Sequence, residues 1–404
     1  MTEPQQLNAD CHAAEMDREA LQQACRAQGE DWHSLVMERC PYLFAEVPVF
    51  ISPAQLRKMY EVIAAVERVV GLEGWLAPGD GKQPKAKGVF FGYDFHLNEQ
   101  GVHLIEINSN AGGAFFNEFL IGSQRDAEMP GKTVAIDKLE PAFLAMFRNE
   151  WRLERGSAPF GNIAIVDENP EQQYLFPEFL LAKRMLERDG LAVYIVDPVA
   201  LKLHEDGLYY GKEKIDMVYN RLTDFSLQQY PALNNAYQSG RVVLTPHPYA
   251  HVKYADKRNL ARMTDEQGLR ALGAADADIA TLQTGVPHTF VVSAGMEAAL
   301  WTERKGLFFK PHTGYGSKGT YRGANLTKRV FGEIVQGDYV AQTLAPPGER
   351  AVCLAGADPV SLKYDMRCYV YEGNIQLVAA RLYQGQTTNL RTLGGGFALV
   401  RVVE

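Results

Sequence analysis

The stretch after residue 160 constrains the fold more than any other. NIAIVDE is an unbroken apolar run ending in acids, FPEFLLAKRMLERDG is an amphipathic segment stopped by Gly190, and LAVYIVDP is a second apolar run. Two buried strands with a helix between them imply parallel neighbours, because a parallel pair needs a crossover where an antiparallel pair needs only a turn. GLYYGKEKIDMVYNR then adds a hairpin-like piece and a further strand ending in Tyr219, Asn220 and Arg221. Ends of such strands are where open α/β sheets place ligands. VDENPEQQ lacks the glycines of a dinucleotide fingerprint, so NAD finds little support.

The flanks differ in character. Residues 14–40 and 52–70 read as amphipathic helices. The second has Ser52 as N-cap and Pro53 at the first position, with Leu56, Met59, Tyr60, Ile63, Val66 and Val70 at helical spacing. From about Val252, DKRNLARMTDEQGLRALG reads as a helix, and HTFVV and GLFFKP as strands. DYVAQTLAPPGE reads as a strand running into a turn, and a strand–turn–strand unit with a polar loop closes the chain. The expected units are residues 1–150, 160–250 and 251–404, which suits 404 residues and 45.0 kDa.

Composition excludes some classes. A net charge of −8 argues against a nucleic-acid binder. No apolar run is long enough for a membrane span, and the polar, acidic start has no signal-peptide pattern. Five cysteines without a CxxC fit a reducing cytoplasm. No zinc site is expected, and Cys11 beside His12 reads as incidental.

Three stretches carry chemical residue types. In GYDFHLNEQGVHLIEINSN, 92–110, two strands flank a polar turn. Glu106 and Asn108 lie two apart and so share a face. With Asp94 they make an oxygen-only cluster of the kind a hard cation takes, against the plain alternative of a solvated strand face. In FFKPHTGYGSKGTYRG, Lys310 ends a strand, and Gly314, Gly316 and Gly319 follow with Ser317 and Lys318 between them. Such a loop can wrap phosphates, against a surface hairpin as the alternative, and it is not a Walker A loop. Arg367 follows Asp365 by two residues and Arg381 ends the next strand; each can clamp an anion bidentately. Asn389 precedes three glycines in TTNLRTLGGGFA.

Together these pieces resemble the ATP-grasp ligases. ADKRNLARM, FFKPHTGYGSKG, YVAQTLAPPGE, DMRCYV and AARLYQGQTTNLRTLGGG follow the order of glutathione synthetase-like members. GYDFH and IEINSNAGG, which come last in that order, stand here near residue 100. The arrangement is similar to the circularly permuted glutathionylspermidine synthetases. It departs at Gly92, where those enzymes carry an arginine, although Gly92-Tyr93-Asp94 fits the glutathione synthetase form. The resemblance covers roughly residues 85–120 and 160–400.

The resemblance implies an α/β (α+β) ATP-grasp fold, circularly permuted, with a Rossmann-like pre-ATP-grasp domain. It implies an ADP-forming carboxylate–amine ligase working through an acyl phosphate, with ATP and Mg²⁺ (Mn²⁺ as the alternative). Asp94, Glu106 and Asn108 match metal ligands. Lys257 and Lys310 match phosphate-binding lysines, with Lys253 a substitute for the first. Gly314, Gly316, Ser317, Lys318 and Gly319 match the lid. Gln342, Thr343 and Leu344 match the adenine hinge, and Glu349 the ribose contact. Arg367, Arg381 and Asn389 match the catalytic group. Arg221 is a candidate substrate contact, against an interface salt bridge. His96, His103, His247 and His251 read as structural or loop residues. The expected partners are a small carboxylate and an amine, without nucleic acid or membrane; a homodimer is expected by analogy only. A nucleotide-binding protein without ligase activity, a carboxylate–thiol ligase and an acyl-phosphate-forming kinase stay open as alternatives.

Overall fold

A computed structural model describes residues 2–76, 83–124, 129–314, 319–354 and 358–404. The strand–helix–strand unit forms as the sequence requires. Asn162–Val166 pairs in parallel with Ala192–Val196, and the helix Phe176–Arg188 crosses between them. Met217–Asn220 and Val243–Thr245 extend this into a four-stranded parallel sheet. Ile163, Ile165, Phe179, Met185 and Met217 pack there with Phe143 and Phe147 of the helix Leu139–Arg155.

The largest sheet is built from distant parts of the chain. Its main path runs Val49–Ile51, Gly396–Val402, Asn374–Tyr383, Val360–Tyr371, Phe91–Asn98 and Gly101–Asn108. Gly348–Val352 and Lys132–Thr133 pair onto it from the side. Side chains alternate across it. Tyr93, Phe95 and Leu97, with Met366, Cys368 and Val370, pack in the core under the helix Pro53–Val70. Asp94, His96 and Arg367 point to the opposite face. A four-stranded antiparallel sheet, Thr289–Val291, Tyr339–Thr343, Leu307–Pro311 and Tyr321–Arg322, stands opposite that face.

The helix Pro53–Val70 begins as its sequence dictates. Ser52 Oγ accepts from Gln55 N at 3.2 Å, and Gln55 Oε1 accepts from Ser52 N at 2.9 Å, which satisfies two otherwise orphaned amides. Its buried stripe is Met59, Val62, Ile63, Val66, Val69 and Val70. Tyr60, expected in that stripe, is 44% exposed, because one residue on from Met59 turns about 100° away from the core.

Two expected helices are each broken in two. Residues 14–40 divide into Arg18–Ala27 and Glu30–Arg39 at Gly29, whose φ of 104° no helix continues. The segment after Asp256 divides into Arg258–Met263 and Glu266–Ala271. Asp265 caps the second by accepting from Gly268 N at 3.1 Å. Among the cysteines, Cys11 is bonded to Cys353, 342 residues away, while Cys25, Cys40 and Cys368 are buried thiols. Among the described residues no helix is long and apolar enough to cross a membrane.

Candidate active site

Strand register assembles the site. Asp94 stands opposite Glu106 on one side and Arg367 on the other. Asp365 stands opposite Arg381 on the next ladder. Period 2 puts Asp365 on the face of Arg367, so the two acids Glu106 and Asp94 on one pair of strands are followed by Arg367, Asp365 and Arg381 on the next pair. This face and the antiparallel sheet enclose a cleft of about 770 Å³. Asp94, Glu106, Asn108, Lys257, Lys310, Gly314, Gln342, Thr343, Leu344, Glu349, Arg367, Arg381 and Asn389 all line it.

Asp94 is held by two arginines and an asparagine. Arg367 Nε and Nη2 each reach it at 2.6 Å, Arg381 Nη2 at 2.9 Å and Asn108 Nδ2 at 3.0 Å. Burial works against its charge, but the two guanidiniums outweigh this and hold the carboxyl below the usual range. Arg381 also donates from Nε to Asp365 Oδ1 at 2.7 Å, and Thr388 Oγ1 donates to the other oxygen of Asp365. Gly92 makes room for Arg367: a Cβ there would lie 3.1 Å from Arg367 Nε and 2.6 Å from Ala111 Cβ. The absence of a side chain at 92 is thus a packing requirement, set first by Ala111 and then by the arginine on the neighbouring strand.

Two lysines flank Glu106. Lys257 Nζ donates to Gly314 O at 2.8 Å and lies 3.5 Å from Glu106 Oε1. Lys310 Nζ donates to Ile105 O at 2.8 Å and to Gln342 Oε1 at 2.9 Å. Thr289 Oγ1 holds the Gln342 amide in the orientation that offers its oxygen. Burial pushes the Lys310 ammonium down to about 8. The Glu106 carboxylate opposes that fall and Lys257 adds to it.

The segment after Gln342 forms the far wall. Thr343 N donates to His288 O and Leu344 N to Gly306 O, both at 2.8 Å. Glu349 is exposed and accepts from Ser361 Oγ at 2.8 Å. Asn389 lines the cleft, but its amide is spent within its own loop, on Gln384 O, Arg391 N and Thr392 Oγ1.

Some expected residues sit elsewhere. Arg221 is buried behind the cleft wall, where Nη1 donates to Asn110 O at 2.9 Å, close to Glu178 and Asp167. It supports the turn leading to Gly112. Lys253 lies over the Tyr254 ring, outside the cleft. Gly319 does not line the cleft, and Gly316, Ser317 and Lys318 fall outside the described residues. His103 pairs with Asn98, and buried His247 with Ala86 O.

His96 differs from its sequence reading, because it lines the cleft. Its Nδ1 lies 2.6 Å from Ala345 O, so that nitrogen carries the proton and Nε2 is an acceptor. Burial lowers its pKa, which keeps the ring neutral. The signal was in the sequence: His96 is two residues beyond Asp94 on one strand and so shares its face. The same rule finds Asp365 from Arg367.

No protein-family model matches the chain, and no curated protein matches it in sequence. Among solved structures, a glutathione synthetase-like effector from Globodera pallida, in its apo form, matches with a TM-score of 0.56 at 10% identity. The match covers 98% of this chain and 100% of that one. A putative gamma-glutamylcysteine synthetase from Methylobacillus flagellatus KT gives a TM-score of 0.49 at 10% identity, covering 87% of this chain and 89% of that one. The ATP-grasp ligase PsnB with a minimal precursor gives 0.31 at 10% identity, covering 60% and 90%. The last two likenesses are too loose to argue from. The first extends over 98% of this chain and all of the other, and the fold observed is that of this glutathione synthetase-like effector.

Proposed function

We propose that the protein is an ATP-dependent, ADP-forming ligase that joins a carboxylate to an amine through an acyl phosphate. One observation carries this reading. A single cleft gathers Lys257, Lys310, Arg367 and Arg381 with the carboxylates of Asp94 and Glu106 and the amide oxygen of Asn108, and Arg381 lies 287 residues from Asp94. Phosphoryl transfer asks a protein mainly for positioning and charge stabilisation, and this set supplies both.

The donor set suits Mg²⁺ through Glu106 and Asn108. Mg²⁺ commonly takes one or two carboxylates and fills its remaining positions with water and substrate phosphate. Asn108 spends its Nδ2 on Asp94, which leaves Oδ1 as an acceptor. Asp94 fits less well. Three N–H contacts fall on its Oδ2 and one on its Oδ1, and both arginines hold it in ion pairs. We therefore assign Asp94 to holding Arg367 and Arg381. A bound Mg²⁺ would neutralise phosphate oxygens and align the phosphoryl group for transfer.

Lys257 and Lys310 are suited to the α- and β-phosphates. The segment Gln342–Leu344 is suited to the base, and Glu349 to the ribose. Arg367 and Arg381 would stabilise charge on the acyl phosphate, and the cleft walls would shield that labile group from water. The motif order is read as a circular permutation, supported by the pairing of the 91–108 hairpin with Val360–Tyr371.

The test is phosphate release from ATP with Mg²⁺ across a panel of amino acids and small peptides. Turnover is expected only when a carboxylate and an amine are both present. Glu106→Ala should lower it by about 100-fold or more. Calorimetry showing no binding of Mg²⁺–ATP would remove the nucleotide reading altogether. Full turnover in Glu106→Ala would remove only the metal assignment.

A further inference from the structure

We propose that Cys11, His12 and Cys353 form a second metal site, for a thiophilic divalent cation of the Zn²⁺ type, which becomes available when the Cys11–Cys353 disulfide opens. One ligand atom from each of the three residues lies within 4.8 Å of the other two. His12 Nε2 is 3.3 Å from Cys353 Sγ, and the two cysteine Cα atoms are 5.3 Å apart. None of the three lines the cleft.

The placement does not depend on the sulfur–sulfur bond. Arg350, fully buried on the strand Gly348–Val352, donates to Asn8 O at 3.2 Å, to Asp10 O at 2.8 Å and to Pro48 O at 2.8 Å. Asn8 in turn exchanges two hydrogen bonds with the Phe50 backbone, at 2.8 and 2.9 Å. Breaking such buried contacts is costly, so the 8–10 segment stays against the strand that leads into Cys353. Opening the disulfide therefore leaves two sulfurs facing each other beside an imidazole.

The chemistry balances without a further oxidant. Two equivalents of a small thiol break the S–S bond, give two protein thiols and leave as their own disulfide. Metal binding then displaces two thiol protons, and the His12 imidazole contributes a lone pair from Nε2. Two thiolates and an imidazole select a soft or borderline cation over Mg²⁺. His12 is exposed, so the fourth tetrahedral position opens to water. Competing thiols are disarmed by burial, which pushes Cys25 and Cys40 up to about 11 and raises Cys368 as well.

Titrating the full chain with Co²⁺, before and after reduction, tests this. The reduced protein should bind one equivalent with a thiolate-to-cobalt charge-transfer band. The oxidised protein should show no such band, and this control needs no substitution. Co²⁺ held by the oxygens of Glu106 and Asn108 would not produce one. Zn²⁺ should displace the cobalt and abolish the band, and His12→Ala should weaken binding by roughly 10–100-fold or more. A reduced protein without the band overturns the proposal. So does a band that persists in the oxidised protein, or one that His12→Ala leaves at full affinity.

Discussion

At the scale of single residues, Lys310 is the group whose environment most clearly shapes binding. Its ammonium is buried, and its pKa falls from the ordinary 10.5 to about 8. The sign follows from which state holds the proton. A phosphate favours the charged lysine, so ATP affinity should be greatest below pH 8 and decline as pH rises through it. Stability of the free protein runs the other way. Between about 8 and 10.5 the unfolded chain binds more protons than the folded one, so stability gains with pH over that window. Calorimetry at pH 7, 8 and 9 checks the first point, with Lys310→Met expected to bind more weakly and with a flatter profile. An affinity unchanged from pH 7 to 9 in the native sequence would show that Lys310 does not meet the nucleotide. The lysine itself was legible as the end of a strand before a glycine-rich loop. Its burial was not, because Ile105 and Gln342, which accept hydrogen bonds from it, come from other strands. Nor was the pairing of Asp94 with two arginines, since Arg367 and Arg381 lie 273 and 287 residues away from it.

At the scale of elements, periodicity located strands and helices but not their breaks or their mutual fit. The split at Gly29 turns on one backbone angle, and the split at Asp265 on a cap that a charged residue in a polar run does not announce. The fit of two helices is more hidden still. Gly285 ends the helix Asp276–Gly285 where it packs on Pro53–Val70, and a Cβ there would come within 2.3 Å of Val62 Cγ2. Val62 is fully buried and cannot swing away. Helix propensity alone favours Gly285→Ala by roughly 1 kcal/mol. Overpacking a closed core typically costs about 1–3 kcal/mol. The second effect should win, and the variant should show a lowered midpoint of chemical denaturation with an unchanged slope. A variant more stable than the native sequence would mean that the two helices separate without penalty.

At the scale of the whole molecule, the reading of the motif order as cyclic rests on short motifs that each keep their own strand-level pattern wherever they fall in the chain. The anchoring of residues 8–11 was not legible, because Arg350 and Cys353, which hold that segment, come from the other end of the chain. The two ends of the 404-residue chain meet on one strand: Asn8 bonds the Phe50 backbone, and Val403 N donates to Ile51 O at 3.0 Å. That proximity makes the permutation reading testable. Joining residue 404 to residue 2 through a short glycine–serine linker and opening the chain between Gly156 and Ser157 gives a new order. The cut falls in an exposed stretch between the helix Leu139–Arg155 and the strand Asn162–Val166, where backbone breaks are best tolerated. It separates no pair of hydrogen-bonded strands and moves the Asp94 and Glu106 hairpin behind the Arg381 strand, the order of glutathione synthetase-like chains. The rearranged protein should unfold cooperatively, bind Mg²⁺–ATP within about threefold of the native order, and release phosphate with the same substrate pair, since association at the site depends on the register of Asp94 with Arg367 and not on chain order. If it folds but no longer binds nucleotide, the hairpin needs its present covalent neighbours to reach that register. The motif order would then be a feature of this fold in its own right and not a permutation of another.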